Sequence, residues 1–224
     1  MPESPALHIE KLRFQYSPRD PVVIDIDSLD VAAGEQVLLT GTSGRGKSTL
    51  LYLVAGLMEP TGGRVLVNGQ DIHAMSGHTR DRFRGTSIGM IFQTFNLLPG
   101  FSAAENVMLA LMFSDVPRRE HRDRALALLE TLGVERPNAA ADELSIGQQQ
   151  RVAVARAIAC RPALVLADEP TASLDPDNAA AAMDLIQTAC TESGAALLCV
   201  SHDPAMADRF ARRASLHELS ASTA

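Results

Sequence analysis

The octapeptide GTSGRGKS, Gly41 to Ser48, constrains this chain more than any other stretch. It follows an apolar run, QVLLT at 36 to 40, and leads into a segment with Leu50, Leu53, Val54 and Leu57 at helical spacing. Strand, glycine-rich turn and helix in that order are the setting in which the pattern G-x-x-x-x-G-K-[ST] wraps a phosphate. The glycines let successive backbone N–H groups face the ligand, a lysine supplies a compact charge, and the terminal hydroxyl can ligate Mg²⁺. Nucleotide contact is therefore assigned to Gly41, Thr42, Ser43, Gly44, Arg45, Gly46, Lys47, Ser48 and Thr49, with Lys47 on the β and γ phosphates and Ser48 on the metal. A turn without a ligand would leave Lys47 unexplained. Arg45 stands where a small residue is common; its side chain is read as turned to solvent, with nucleotide contact as the alternative.

Two nearly continuous apolar runs, ALVLA at 163 to 167 and ALLCV at 196 to 200, have the look of strands buried on both faces of a parallel sheet. The first runs into Asp168 and Glu169, which places two carboxylates at a strand's C-terminal end, where parallel-sheet ligand sites lie. Desolvating two adjacent like charges is costly unless a cation compensates. Asp168 is assigned to Mg²⁺, held through water, and Glu169 to orienting and polarising an attacking water. The second run continues into His202 within CVSHD, at the equivalent edge.

Elsewhere the chain alternates or turns helical in blocks. Leu7, Ile9 and Leu12 to Phe14 are interleaved with polar residues as in a half-buried strand, and Asn68-Gly69 within VNGQDI is a hairpin signal. From about Phe95 to Ala159 the pattern is helical, with Ala125, Leu126, Leu128, Leu129 and Leu132 forming a stripe that stops at Gly133. RREHRDR at 118 to 124 is read as a solvated face. A further helix begins with Asp175 as N-cap and Pro176 in its first position. The expected fold class is α/β: one domain, 1–224, whose mostly parallel core and antiparallel β edge take up about 1–92 and 160–218. An α-helical subdomain is inserted at about 93–159, and 219–224 form a tail.

Composition narrows the function classes. A 46% hydrophobic, 21% charged chain is that of a soluble domain, and no apolar stretch approaches the roughly 20 residues that cross a bilayer. The net charge of −7 counts against a nucleic-acid partner, which needs a basic footprint. MPESPALHIE lacks the basic and apolar regions of a secretory signal, so cytoplasmic residence is expected. Cys160, Cys190 and Cys199 lack metal-ligand spacing and read as reduced core thiols.

ELSIGQQQRVAVARA, 143 to 157, opens another helix. With Ser145 as N-cap, Gln148 falls at the third helical position, so the two are expected to form a reciprocal capping box. The small first turn leaves N–H groups free to meet an anion at the positive end of the helix dipole.

Taken in order, Tyr16, GTSGRGKST, Gln93 in IGMIFQTFNLLP, LSIGQQQRVAVARA, LVLADEP, SLD at 173 to 175 and SHD at 201 to 203 resemble the ATP-binding cassette (ABC) ATPase domain over almost the whole chain. The resemblance implies a P-loop NTPase core that binds ATP and Mg²⁺. Tyr16 would stack on adenine, with Phe14 as runner-up. Gln93 would sense the γ-phosphate and the metal while linking to the helical lobe, and His202 would contact the γ-phosphate. Catalysis would fall to Glu169, His202 and Lys47, and the metal to Ser48, Gln93 and Asp168. Such domains pack head to tail, so Ser145, Gly147 and Gln148 would act on the nucleotide of a second copy or a close relative, and Asp175 would lie in the loop crossing that interface. The family pattern LSGGQ is broken here at Ile146, which the helix start should tolerate because Gly147 is retained.

A single short cassette implies a separate integral-membrane permease, and hence a place on the inner face of the cell membrane. The Gln93 stretch joined to QQQRVAVARAI resembles the bacterial branch serving lipoprotein release, macrolide-type efflux and related mechanotransmission. Amino-acid importers share much of it, but the methionine type usually adds a C-terminal domain, whereas this chain stops soon after His202. A non-transporting regulatory cassette is the alternative of a different class. VMLALMF, 107 to 113, is read as core helix or as part of the groove that receives the permease.

Overall fold

The computed structural model describes residues 4–41, 46–172 and 174–219. Two sheets organise them. In the first, β1 (Leu7–Phe14) pairs antiparallel with β2 (Ile24–Val31) and β4 (Gly62–Val67), and β4 returns as the short β5 (Gln70–Asp71). Asn68 and Gly69 both adopt positive φ, 49° and 74°, which is what a two-residue primed turn demands. Lys11, at φ 49°, marks an irregularity in β1 that shifts the register between Glu10 and Arg13. That extra residue keeps Leu12 and Phe14 facing inward after Leu7 and Ile9.

The second sheet is wholly parallel, in the order β6 (Ile88–Ile91), β7 (Leu164–Asp168), β8 (Ala196–Val200), β3 (Gln36–Thr40), β9 (Arg212–Ser215). Every residue of β7 and β8 is buried, as their unbroken apolar sequences require. Alternate residues feed two different cores. Leu38, Val165, Ala167, Leu197 and Cys199 join the helical side, while Val37, Leu39, Leu164, Leu166, Leu198 and Val200 join the side that carries the antiparallel sheet. Burying each valine or leucine among these contributes roughly 1.5–3 kcal/mol, so the central strands stabilise both layers at once. The cysteines are free thiols: Cys199 and Cys190 are buried, and burial pushes the Cys190 thiol up to about 12.

Among the described residues, 92–163 contain no strand of either sheet; they form α3 (Ala103–Leu111), α4 (His121–Thr131) and α5 (Ile146–Ile158). α3 starts from a complete capping box between Ser102 and Glu105. α5 is fastened to the parallel sheet by close approach, since a Cβ on Gly89 of β6 would lie 2.3 Å from the Ala157 carbonyl oxygen. The remaining helices are α1 (Lys47–Val54), α2 (Gly77–Ser87), α6 (Pro176–Ser193) and α7 (Leu216–Leu219).

Two expectations change. The helical spacing predicts an α1 stripe that reaches Leu57, but the helix stops at Val54 because Gly56 takes the left-handed conformation, leaving Leu57 exposed beyond it. The charge run at 118 to 124 is solvated except at His121, which is buried with its Nε2 2.8 Å from the Val116 carbonyl oxygen. The Ala125–Leu132 stripe does end where Gly133 turns to φ 70°.

Candidate active site

Parallel register brings four strand ends to one edge. Leu39 of β3 and Asp168 of β7 both lie beside Val200 of β8, and Ile91 of β6 lies beside Ala167. The phosphate loop, the Asp168-Glu169 pair, Gln93 and His202 therefore leave neighbouring strands from the same side, as open parallel sheets arrange their ligand sites. Gln93 is exposed just past β6.

At this edge the charged groups are already paired. Lys47, the first residue of α1, is 6% exposed; its Nζ donates to the Gly41 carbonyl at 2.8 Å and stands 3.8 Å from Glu169 Oε1. Gly46 caps that helix at φ 91°, and a Cβ there would meet the Val23 side chain at 2.9 Å and its carbonyl oxygen at 3.1 Å, so the chain enters the helix through a left-handed glycine crowded by the residues that lead into β2. Ser48 Oγ donates to Asp168 Oδ1 at 3.0 Å, so two hard oxygen donors from different elements converge. Burial holds the Asp168 carboxyl above its ordinary value; the Ser48 hydrogen bond opposes this, and the Glu169 charge adds to it. A buried aspartate that resists ionisation beside a second carboxylate fits a site completed by a cation. Mg²⁺ needs only one or two protein oxygens together with phosphates and water.

Glu169 is held in an uncommon backbone state, φ 46°, while its N–H continues the ladder to the Val200 carbonyl at 2.9 Å. Its carboxylate accepts from the His202 N–H at 3.3 Å, and Oε1 lies 2.8 Å from His202 Nδ1. The chain thus presents a carboxylate clasped by a lysine on one side and a histidine on the other.

Tyr16 is 63% exposed, its hydroxyl 2.8 Å from the Thr49 Oγ1, and its ring sits edge-on to Phe14 at 4.9 Å. Phe14, the runner-up for that position, is buried. Thr42, Ser43, Gly44 and Arg45 lie outside the described residues.

The sequence profile of the ABC transporter family matches residues 24–172. The chain belongs to that family. It is 41% identical over 218 residues to the lipoprotein-releasing system ATP-binding protein LolD of Nitrobacter hamburgensis, covering 96% of this chain and 94% of that one. It is 40% identical over 201 residues to the ABC transporter ATP-binding protein YtrE of Bacillus subtilis, covering 88% and 86%. A solved dimeric post-hydrolysis ATP-binding cassette, MJ0796 with ADP and Pi, superposes with a TM-score of 0.80 at 33% identity over 93% of each chain. The protein is an ABC ATPase subunit with both family sheets and the family's helical layer.

The second ABC motif lies apart from this edge, at the start of α5. Ser145 caps the helix by accepting from the Gln148 N–H at 3.3 Å, and Ser145 and Gly147 are exposed. The reciprocal half of the expected capping box does not form. The Gln148 carboxamide instead accepts from the Glu135 N–H at 3.3 Å and donates to the Gly133 carbonyl at 3.2 Å, because the preceding turn offers both partners. Ile146 is 58% exposed and occupies the first helical position, clear of the core. Asp175 caps α6, accepting from the Asn178 N–H at 3.1 Å. Ser173, in the same loop, lies outside the described residues.

Two side chains that hold the loop after Gln93 were not marked by the sequence reading. Arg156, late in α5, donates to the carbonyls of Phe95 and Asn96 at 2.6 Å each and so ties the loop after Gln93 to the Ser145 helix. Burial lowers its pKa. Asn106, buried in α3, accepts from the Leu98 N–H and donates to the carbonyls of Leu98, Phe101 and Ser102, holding the other end of that loop. The signal was available as a polar residue inside each apolar helix, AAENVMLAL and VAVARAI.

Proposed function

We propose that ATP and Mg²⁺ occupy the edge formed by Lys47, Ser48, Asp168, Glu169, Gln93 and His202, with the base on Tyr16, and that two cassettes close head to tail over two such sites. The observation that carries this is the convergence of Ser48 on Asp168 and of Lys47 and His202 on Glu169. Lys47 exchanges the Gly41 carbonyl for phosphate oxygens. Ser48 and Asp168 would hold Mg²⁺, which would supply charge neutralisation for phosphoryl transfer. Glu169, fixed by its strained backbone and by His202, accepts the proton of the attacking water, and His202 remains beside the γ-phosphate. Ser145, Gly147 and Gln148 of the second copy complete the site, with Asp175 in the crossing loop.

The outlet for this cycle is a separate permease. Among the described residues no helix is long and apolar enough to cross a membrane. A cavity of about 460 Å³ lies between α2, β6 and α5, lined by residues that include Arg84, Met90, Phe92, Phe113 and Arg156. Within VMLALMF, Val107 and Leu111 are core, whereas Met112 and Phe113 are exposed and Phe113 lines this cavity, which supports reading the end of the stretch as part of the permease groove. We place the protein on the inner face of the cell membrane, held by a permease in this groove. Relatives named for lipoprotein release at 40–43% identity favour that branch over amino-acid import.

The oligomeric state in ATP and Mg²⁺ tests the reading. Glu169→Gln should form a stable dimer and lower hydrolysis by about 10²–10⁴-fold, the range a general base contributes. Full ATPase activity in that variant would remove Glu169 from the role.

A further inference from the structure

The two motifs expected to face a second copy, at Ser145–Gln148 and Asp175, share one pocket within this chain. It has a volume of about 200 Å³ and is formed by Ile146, Gly147, Gln150, Leu174, Asp175 and Leu185 with their neighbours between α5 and α6. Gln150 is only 4% exposed, yet its Nε2 has no hydrogen-bond partner. A buried donor left unpaired is costly and calls for an acceptor. The N-terminus of the 13-residue α5 opens onto the same space, so its free N–H groups and dipole also favour an electronegative atom there, whereas α6 begins with Pro176, which has no N–H, and its Asn178 N–H is taken by Asp175.

The size and charge of the pocket select the occupant. Its volume is below the roughly 300–1,000 Å³ of small-molecule sites, so it takes a side chain or one turn of backbone rather than a free nucleotide. Arg151 and Asp175 in its wall balance in charge, which favours a neutral oxygen over an anion. Exposed Ile146 and half-buried Leu174 and Leu185 give it an apolar lip beside the Ser145–Gly147 turn, the part of the chain that the proposed head-to-tail closure would cover.

We propose that this pocket is a second receptor for the partner cassette, in which Gln150 donates from Nε2 to a main-chain carbonyl oxygen of a second copy of this chain. Gln150 would then be a positioning residue that acts on closure without touching nucleotide. This rests on the head-to-tail dimer proposed above.

The test uses the full chain carrying Glu169→Gln, with dimer dissociation followed by analytical ultracentrifugation at saturating ATP and Mg²⁺. Adding Gln150→Leu should weaken the dimer about tenfold. The monomer's melting temperature should be equal or higher, because the unpaired donor is replaced by an apolar group. Ala181→Trp, at an exposed position on the pocket wall, should weaken the dimer by obstruction at unchanged melting temperature. An unaltered dimer in both variants, or weakening matched by a lower melting temperature, overturns the assignment. A Glu169→Gln parent that shows no ATP-dependent dimer overturns the head-to-tail reading itself, and the pocket's occupant with it.

Discussion

The two ends of the catalytic machinery are built differently. At the strand edge, Lys47, Ser48, Asp168, Glu169 and His202 are bonded to one another before any ligand arrives. At the start of α5, Ser145, Ile146 and Gly147 are exposed, and a Cβ on Gly147 would meet nothing within 4 Å. Side chains of the first group are restrained by what this chain supplies. Of the second, Ser145 is held by its cap on the Gln148 N–H, while Ile146 and Gly147 have no such tie. A substitution at the edge should therefore disturb the isolated protein, whereas one at Ile146 or Gly147 should be silent until two cassettes close.

The largest expected effect breaks that comparison most directly. Gly147→Asp should leave the monomer's melting temperature and its ATP affinity as they are, since the new side chain enters open space. Closed against a γ-phosphate, a like charge at about 4 Å costs about 4 kcal/mol at an effective dielectric near 20, a factor of about a thousand. Turnover in a phosphate-release assay should fall by at least that much. A melting temperature that falls with it would mean that Gly147 is constrained within its own chain after all.

Asp168→Asn tests the other end. Because burial raises the folded carboxyl's pKa, the fold binds its proton more tightly than the unfolded chain does, and stability declines as pH rises above the ordinary value of 3.8. Ionised Asp168 is thus a burden on the empty fold. In metal-free, nucleotide-free buffer at pH 7, calorimetry should find Asp168→Asn melting higher than the parent and its melting temperature less dependent on pH through the acid range. Mg²⁺-dependent hydrolysis should fall by about 10²-fold or more, the scale of losing one fixed electrostatic stabiliser. A lower melting point would show that the Ser48 hydrogen bond outweighs desolvation.

The same contrast explains what could be read from the sequence. The helix that starts at Lys47 and the buried runs before Glu169 and His202 were legible because local chemistry specifies them: a glycine at the helix entry, strand burial and a charge at a strand end. That His202 reaches Glu169, 33 residues away, was not, because it depends on β8 inserting between β7 and β3. Gln148 was misread at its side chain for a related reason. Its spacing from Ser145 satisfies a capping box, but Gly133 and Glu135 compete for the same amide and prevail. Arg156 stands out in sequence as a polar residue within VAVARAI, but the partners it finds, and the partner that Gln150 lacks, belong to tertiary packing.

Ile146 is where the smallest effect is expected, and it sharpens the comparison from the side of the partner. The family pattern has glycine here, yet nothing in this chain asks for one. Ile146 is at the first turn, with Ser145 in extended geometry before it, and its side chain is turned out into solvent. The N–H at that position is unpaired within any helix, and the isoleucine leaves it in place. Exchanging isoleucine for glycine in a helix costs roughly 0.5 kcal/mol in the interior and less at a frayed first turn. Ile146→Gly should therefore change ATPase activity less than about twofold, and dimer affinity by a similar factor from lost apolar contact at the pocket lip. A tenfold gain in activity would show that the side chain obstructs closure. The start of α5 would then be constrained by its partner at two residues, Ile146 as well as Gly147.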